Sequence, residues 1–285
     1  MTTASEEGEP VSAPLLSVPA ATPTDAIKLL FCGDVVGRPG RVALSALLPQ
    51  LRAELDPDLI IVNGENSAHG FGLNSRTLNE ILDSGATLVT TGNHVFDQRE
   101  FVDSISQSDC VLRPANYPAG TPGRGHLVTQ VAGIAVGVVN LQARTFMPTL
   151  DCPFRALDQI LDQLDQCQVV IVDLHGEATS EKQALGWYAD GRISALIGTH
   201  THVPTADHRV LPGGTAYVTD VGMVGPRDSV IGMDKEATIR RFLSAMPQRF
   251  EVAEGPVTFN SVLITISTRT GRATEIRRTD REHVA

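Results

Sequence analysis

The sequence is poor in cysteine, and its few cysteines are widely separated. They are Cys32, Cys110, Cys152 and Cys167, and no two of them form a C-x-x-C pair. Thiolate zinc sites use closely spaced cysteines, and disulfide frameworks use denser sets, so this pattern argues against both. We interpret the four as reduced thiols and expect a cytoplasmic protein.

Positive charge and long apolar runs are scarce as well. The 285 residues include 23 Lys and Arg against 33 Asp and Glu, a formal net charge of −10. Such a chain is a poor candidate for general nucleic-acid binding, although a local positive centre such as a metal could still hold a small anionic substrate. The apolar runs are shorter than the roughly 18 residues that cross a bilayer, so we expect no membrane partner.

The first 26 residues differ in composition from the rest. They carry Glu6, Glu7, Glu9 and Asp25, lack Lys and Arg, and are rich in Pro, Ala, Ser and Thr. A secretory signal would need a basic segment before its apolar core. We therefore predict a disordered acidic leader over residues 1–26 and a single folded domain over residues 27–285.

From residue 27 onward, short apolar runs alternate with amphipathic segments, which predicts an α/β fold with a largely parallel core. The predicted strands of the first half are Ile27–Cys32, Asp58–Val62 and Thr87–Thr91. Helices are predicted at Pro39–Glu54, with a kink or an early end at Pro49, and at Ser75–Ser84, with Ser75 as N-cap. The chain is predicted to end on one strand over Val257–Thr268.

Five predicted strands end in small polar clusters. In chain order the clusters are Gly33-Asp34, Gly64-Glu65-Asn66, Gly92-Asn93-His94, His175-Gly176-Glu177 and Thr199-His200-Thr201-His202. In open α/β folds ligands bind beyond the carboxyl ends of the strands, so these clusters can converge on one site although the chain separates them widely.

The clusters offer carboxylate and amide oxygens together with imidazole nitrogens, a combination that suits Mn, Fe or Zn. The clearest donors are Asp34, Glu65, Asn93, His175, His200 and His202. On a strand or extended loop His200 and His202 would face the same way and could bind one ion or two adjacent ones. Taken singly, Asp34 could be a helix cap, Asn93 a turn residue and His175 a hydrogen-bonded core residue; their joint occurrence favours a metal site.

The chain resembles the calcineurin-type metallophosphoesterases, and in particular their YmdB-type bacterial branch. The segments that carry the resemblance are GDVVGRPGR, NGENSAHGFGLN, TGNHVFDQRE, LRPANYP, DLHGEATSEK, GTHTHVPTAD and DVGMVGPRDSVIGMDKE. Each segment alone is weakly specific, but all of them in this order, from about residue 28 to 266, are highly specific.

The resemblance implies an αββα sandwich of two mixed β-sheets flanked by helices. It also implies a dinuclear centre bridged by Glu65, with Fe or Mn as the expected metals and Zn or Mg as alternatives. Asp34, Asn66 and His202 would complete the ligands of one ion. Asn93, His175 and His200 would complete those of the other.

The chain departs from the wider superfamily in two of these positions. The first block usually reads Asp-x-His, but here it is Asp34-Val35-Val36, and the bridging residue is Glu65 where Asp is usual. Asn66 is then the expected substitute for the missing histidine. The YmdB-type branch shares both changes, so they do not indicate an inactive enzyme.

The function that the resemblance implies is phosphodiester hydrolysis of cyclic nucleotides, with 2′,3′-cyclic ones preferred. A hydroxide between the two metals would attack phosphorus, and His94 would protonate the leaving group or stabilise the charge of the transition state. The alternatives are a phosphomonoesterase or nuclease with another substrate, and a slow regulatory metal-binding module. Whether the chain forms a homo-oligomer stays open.

Four further side chains near the clusters have weaker interpretations. Asp97 could orient the His94 imidazole, but a local cap or salt bridge is favoured. Arg38 and Arg41 could reach a phosphate or could equally be solvated. Glu177 could support a ligand histidine, although exposure is the default expectation.

Overall fold

The computed structural model describes residues 15–17 and 25–284. Its helices are α1 (Gly37–Leu55), α2 (Ser75–Asp83), α3 (Arg99–Ser104), α4 (Pro153–Gln163), α5 (Thr179–Ala189) and α6 (Lys235–Ser244). Its strands are β1 (Leu15–Ser17), β2 (Ala26–Cys32), β3 (Asp34–Val35), β4 (Leu59–Asn63), β5 (Leu88–Thr90), β6 (Val111–Leu112), β7 (His126–Val131), β8 (Ile134–Gln142), β9 (Val169–His175), β10 (Ala195–Thr199), β11 (Arg209–Val210), β12 (Ala216–Val218), β13 (Met223–Pro226), β14 (Val257–Phe259), β15 (Ser261–Ser267), β16 (Ala273–Arg278) and β17 (Arg281–His283).

Two large mixed sheets form the centre of the molecule. One has the order β1-β7-β8-β9-β10-β12-β11, and the other β16-β15-β2-β4-β5-β6. Phe31 and Ile61 from the second sheet and Ile171 and Ile197 from the first belong to one buried cluster between them. Strands β2, β4, β5 and β6 are parallel, as are β8, β9, β10 and β12, so each sheet presents several strand carboxyl ends together.

Helices cover the outer face of each sheet. Leu44 of α1 and Ile81 of α2 are buried in a second apolar cluster with the six-stranded sheet. Leu157 of α4 and Leu185 of α5 are buried in a third, with the seven-stranded sheet. The layers are therefore helix, sheet, sheet and helix, which confirms the predicted αββα sandwich of mixed sheets.

A third sheet of four strands, in the order β17-β14-β13-β3, was not predicted. It arises partly because the segment predicted as one strand over Val257–Thr268 is divided at Asn260. The part before Asn260 pairs with β13, and the part after it pairs with β2. Asn260 accepts the backbone N–H of Gly33 and so stands where β2 leaves its sheet.

The early end predicted for α1 at Pro49 and the N-cap predicted for α2 were wrong. Helix α1 continues through Pro49 to Leu55, because its buried face, which includes Leu48 and Leu51, packs on the sheet and outweighs the local cost of proline. The N-cap of α2 is Asn74 rather than Ser75. Its side chain accepts the Thr77 N–H, and the Thr77 hydroxyl accepts the Asn74 N–H, which is a capping box.

Most of the predicted leader, residues 1–26, lies outside the described residues. Within it the backbone of β1 pairs in parallel with β7, and β2 begins at Ala26. In the part of the chain that the structure describes, no helix is long and apolar enough to cross a membrane.

Candidate metal centre

The polar clusters meet at one edge of the two central sheets. Asp34, Glu65 and Asn93 follow β2, β4 and β5 of the six-stranded sheet. His175 ends β9 of the seven-stranded sheet, and His200 follows β10. The site is therefore assembled from both sheets, which is why its residues are so far apart in the sequence.

The first group of candidate donors surrounds His175. Its Nε2 lies 3.1 Å from Glu65 Oε2 and 3.0 Å from His200 Nδ1. Gly92 packs directly against Glu65 and His175 in this group. A Cβ at that position would lie 1.8 Å from Glu65 Oε2 and 2.1 Å from His175 Cδ2, so only glycine fits, and Asn93 is the next residue.

The second group of donors lies on the other side of Asp34. His202 Nε2 is 3.1 Å from the Asn66 side-chain oxygen and 3.9 Å from Asp34 Oδ1. The same Asp34 oxygen is 3.8 Å from His175 Nδ1. Asp34 therefore lies between the two groups, and His200 and His202 belong to different groups.

His200 and His202 lie neither on a strand nor on extended backbone, contrary to the prediction. Strand β10 ends at Thr199, and both histidines have positive φ, 103° and 64°. Such angles are strained for residues other than glycine and are found where surrounding contacts fix the backbone. Here His200 N–H donates to Asp34 Oδ2 at 3.3 Å, and His202 Nδ1 lies 2.8 Å from the carbonyl oxygen of Ile231.

Three buried oxygens in the site have no hydrogen-bond donor. They are Asp34 Oδ1, Glu65 Oε2 and Asn93 Oδ1. Acceptors that are buried without a donor are costly, and a cation would satisfy them. Within the described residues, no three His, Cys, Asp or Glu side chains already surround a common point in the arrangement of a metal shell. The donors touch one another instead, but their chemistry fits a hard divalent cation.

Burial sets the charge preferences of these groups. It raises the pKa of Glu65 to about 7 and, with help from Asp220 and Glu65, raises the pKa of Asp34 well above its ordinary value. Burial also lowers the pKa of His202, and it lowers that of His200 to about 2. The imidazoles of His200 and His202 are therefore neutral and have lone pairs available. The buried carboxyl groups ionise more readily when a cation lies nearby.

His94 stands beside the donor groups and is oriented by two contacts. Its Nδ1 lies 2.7 Å from Asp97 Oδ2, and its ring meets the Phe71 ring edge-on with centroids 5.2 Å apart. Asp97 thus forms a local salt-bridge contact, as favoured, and the partner in that contact is the His94 imidazole, so the two interpretations coincide. The backbone N–H of His94 donates to Glu65 Oε1 at 2.9 Å, which ties this residue to the proposed bridging carboxylate.

The arginines considered for phosphate binding do not join the site. Arg41 donates to Glu80 and to the carbonyl oxygen of Ser67, which keeps it beside α2. Arg38 is exposed and lines a separate cavity of about 600 Å³. Glu177 does reach the site: although half-exposed, its Oε2 is 3.3 Å from His200 Nε2.

Five buried polar residues behind the site were given no role in the sequence analysis. They are Asn63, Asp173, Lys182, Thr199 and Asp220. Asp173 could have been suspected, because residues two apart on a strand face the same way and it precedes His175 by two. Lys182 carried no such signal: it lies on α5, where lysine usually indicates a solvated position, yet its Nζ is fully buried 2.9 Å from Asp220 Oδ2.

A cavity of about 440 Å³ opens over the donors. Its lining includes the polar residues Asn66, His94 and His200 and the aromatic residues Phe71 and Phe250. This volume lies within the usual range for a small-molecule site and suits a ligand with one anionic and one apolar part.

Comparison with known proteins shows the family of this chain. The model of the family described as YmdB-like protein matches residues 30–279. The chain is 48% identical over 253 residues to a 2′,3′-cyclic-nucleotide 2′-phosphodiesterase of Bacillus subtilis (strain 168), covering 88% of this chain and 96% of the relative.

Two crystal structures have the same fold over nearly their whole length. A novel phosphatase of Mycoplasma pneumoniae matches with a TM-score of 0.87 and 34% identity, covering 91% of this chain and 94% of that one. A hypothetical protein from Thermus thermophilus matches with a TM-score of 0.85 and 44% identity, covering 90% and 100%. These relatives confirm the expected enzyme class, a phosphoester hydrolase, and the chain belongs to the YmdB-like protein family.

Proposed function

We propose that this protein is a metal-dependent phosphodiesterase that hydrolyses 2′,3′-cyclic nucleotides. The observation that carries the proposal is the convergence of donor-free oxygens and neutral imidazoles beside a histidine held by a carboxylate. The activity named for the Bacillus subtilis relative, which is 48% identical over 88% of this chain, supports the choice of substrate.

Two metal ions are proposed, because the two groups of donors lie on either side of Asp34. Glu65 would bridge the ions. Asp34, Asn66 and His202 would hold one ion, and Asn93, His175 and His200 the other. Oxygen and imidazole donors without thiolates favour Mn or Fe, with Zn and Mg as alternatives. When bound, two adjacent ions lower the pKa of water and neutralise the charge of phosphoryl oxygens.

His94 would assist departure of the leaving group. Its Nδ1 is engaged by Asp97 at 2.7 Å, so Nε2 is the nitrogen left for the substrate in the cavity. Hydrolysis breaks the bond between phosphorus and the ribose 2′ oxygen and yields a nucleoside 3′-phosphate. The departing oxygen needs a proton, and His94 Nε2–H can supply it while Asp97 holds the ring through Nδ1.

The apolar walls of the cavity would hold the nucleobase. Phe71 is fixed through its carbonyl oxygen, which accepts from the Gln98 side chain at 2.7 Å, and through the edge contact of its ring with His94. Phe250 also lines this cavity. Aromatic and aliphatic walls bind any base by contact area, so the proposal predicts weak discrimination among bases.

The test is a substrate panel with purified protein and added Mn²⁺. We expect 2′,3′-cyclic nucleotides to be hydrolysed to 3′-monophosphates with a higher kcat/KM than 3′,5′-cyclic nucleotides or bis-p-nitrophenyl phosphate. A preference for phosphomonoesters or for oligonucleotides would favour the phosphatase or nuclease alternative. Binding of metal without turnover on any of these substrates would favour a regulatory module.

A further inference from the structure

A chain of buried hydrogen bonds reaches the back of the His175 ring. Thr199 lies directly opposite His175 in the pairing of β9 and β10, and Asp173 precedes His175 by two residues on the same face. The Thr199 hydroxyl is 2.7 Å from Asp173 Oδ1 and 2.9 Å from His175 Nδ1. All three side chains are buried.

The directions of these hydrogen bonds are fixed by the Asn63 side chain, at the end of the series farthest from His175. The backbone N–H of Glu65 donates to the Asn63 side-chain oxygen at 3.1 Å, which identifies the other side-chain atom as the nitrogen. That nitrogen donates to Asp173 Oδ2 at 3.0 Å and lies 3.4 Å from Thr199 Oγ1. Both hydrogens of the Asn63 side-chain amide therefore have acceptors.

The positions of the protons on Thr199 and His175 follow from this orientation. When ionised, the Asp173 carboxylate only accepts, so it takes the single hydroxyl proton of Thr199. With that proton committed, the Thr199 oxygen can only accept from His175, and the hydrogen of the imidazole must be on Nδ1. The competing acceptor, Asp34 Oδ1, is farther from Nδ1 at 3.8 Å.

The opposite nitrogen is consequently a lone-pair donor that faces the site. His175 Nε2 lies 3.0 Å from His200 Nδ1 and 3.1 Å from Glu65 Oε2, an oxygen that has no hydrogen-bond donor. Two lone pairs face each other across the gap between Nε2 and the ionised carboxylate, which is unfavourable unless a proton or a cation lies between them.

We propose that Asp173 and Thr199 are positioning residues that fix His175 in its Nδ1–H tautomer, so that Nε2 is the atom available to a metal ion. The proposal rests on the metal site of the proposed function and adds a requirement on residues that touch neither metal nor substrate. Outer partners of this kind typically change metal affinity 10–100-fold, about the size of effect expected here.

Two substitutions distinguish the effect of the Thr199 hydroxyl from the effect of the side chain's shape. Thr199→Val keeps the branched side chain and removes the hydroxyl, whereas Thr199→Ser keeps the hydroxyl. Thr215→Val is the matched control: Thr215 is also buried, and its hydroxyl donates to the carbonyl oxygen of Ile193 at 2.7 Å, away from the site. It should share the general cost of losing a buried hydroxyl without affecting the metal.

The first readout is the tautomer of His175 in the metal-free wild-type protein. Long-range ¹H–¹⁵N correlation spectra at pH 8, with the resonances assigned by comparison with His175→Asn, distinguish Nδ1–H from Nε2–H. We expect Nδ1–H in the wild type and in Thr199→Ser. Observation of Nε2–H in the wild type would overturn the proposal, whether or not the valine variant folds.

The second readout is Mn²⁺ affinity measured by calorimetry on metal-free protein. We expect Thr199→Val to bind Mn²⁺ about 10–100-fold more weakly, and Thr199→Ser and Thr215→Val to bind it like the wild type. Equal affinity in Thr199→Val would overturn the proposal. Neither readout uses catalysis, so a wild type that binds Mn²⁺ but leaves 2′,3′-cyclic nucleotides intact would refute only the proposed function.

Discussion

Replacement of His94 by alanine separates the proton-transfer role from metal binding. The imidazole contacts Asp97 and the Phe71 ring, whereas only the backbone N–H of His94 reaches the candidate bridging residue Glu65. His94→Ala keeps that N–H. We therefore expect metal content to be unchanged while hydrolysis of a 2′,3′-cyclic nucleotide slows about 10²–10⁴-fold, the usual effect of losing a positioned acid–base group. That loss corresponds to about 2.7–5.5 kcal/mol in the barrier.

The structure also predicts how this defect depends on the leaving group. A ribose oxygen leaves as a strongly basic alkoxide unless it is protonated, whereas p-nitrophenolate is already a stable anion. If His94 acts by protonation, His94→Ala should slow bis-p-nitrophenyl phosphate hydrolysis much less than 2′,3′-cyclic AMP hydrolysis. An equal loss on both substrates would indicate charge stabilisation instead.

The assay compares kcat and bound Mn²⁺ in the same preparations. Asp97→Asn should show a smaller decrease in kcat than His94→Ala, because the imidazole stays but loses its charged partner. Asp103→Asn, a change at an exposed carboxylate on α3, is the matched control and should behave like the wild type. Loss of bound metal in His94→Ala would refute the reasoning, because His94 would then be a ligand.

Three further predictions follow from the buried charges. Glu65→Gln should lower bound Mn²⁺ and the rate together, since an amide replaces the proposed bridging carboxylate; normal metal content measured by elemental analysis would contradict the bridge. Lys182→Met leaves Asp220 buried without its partner and should cost about 3–5 kcal/mol in denaturant unfolding; a loss under about 1 kcal/mol would show that the pair is not structurally important. Burial raises the pKa of Glu65 to about 7, so below that pH a proton competes with the metal. Asp34, whose pKa burial also raises, adds a second competing proton, so Mn²⁺ affinity measured by calorimetry should rise about tenfold or more per pH unit up to about pH 7; an affinity independent of pH would contradict this.

The strands that carry the site were predictable because each combines a buried apolar run with a polar end. The runs before Asp34, Glu65 and Asn93 are continuous and short, as parallel strands buried on both faces require. Their convergence followed from the rule that ligands bind at strand carboxyl ends. The second sheet could be named only through the family resemblance, because pairing between distant strands leaves no local pattern.

The residues that sequence analysis missed depend on packing between distant segments. Asn63 and Asp173 face each other across the two sheets, 110 positions apart in the chain. The positive φ angles of His200 and His202 are imposed by contacts with Asp34 and Ile231, which no local propensity reveals. Two interpretations of Asp97 stayed open for a related reason, since spacing alone does not show toward which partner a loop carboxylate turns.

The most direct test of the central claim is to titrate metal-free protein with Mn²⁺ while measuring hydrolysis of 2′,3′-cyclic AMP. Seven candidate donors, Asp34 among them, are more than one four-coordinate ion needs. The account predicts no turnover without metal, full turnover only when two equivalents are bound, and a 3′-monophosphate as product. Full activity in the metal-free protein, or saturation at one equivalent, would contradict it.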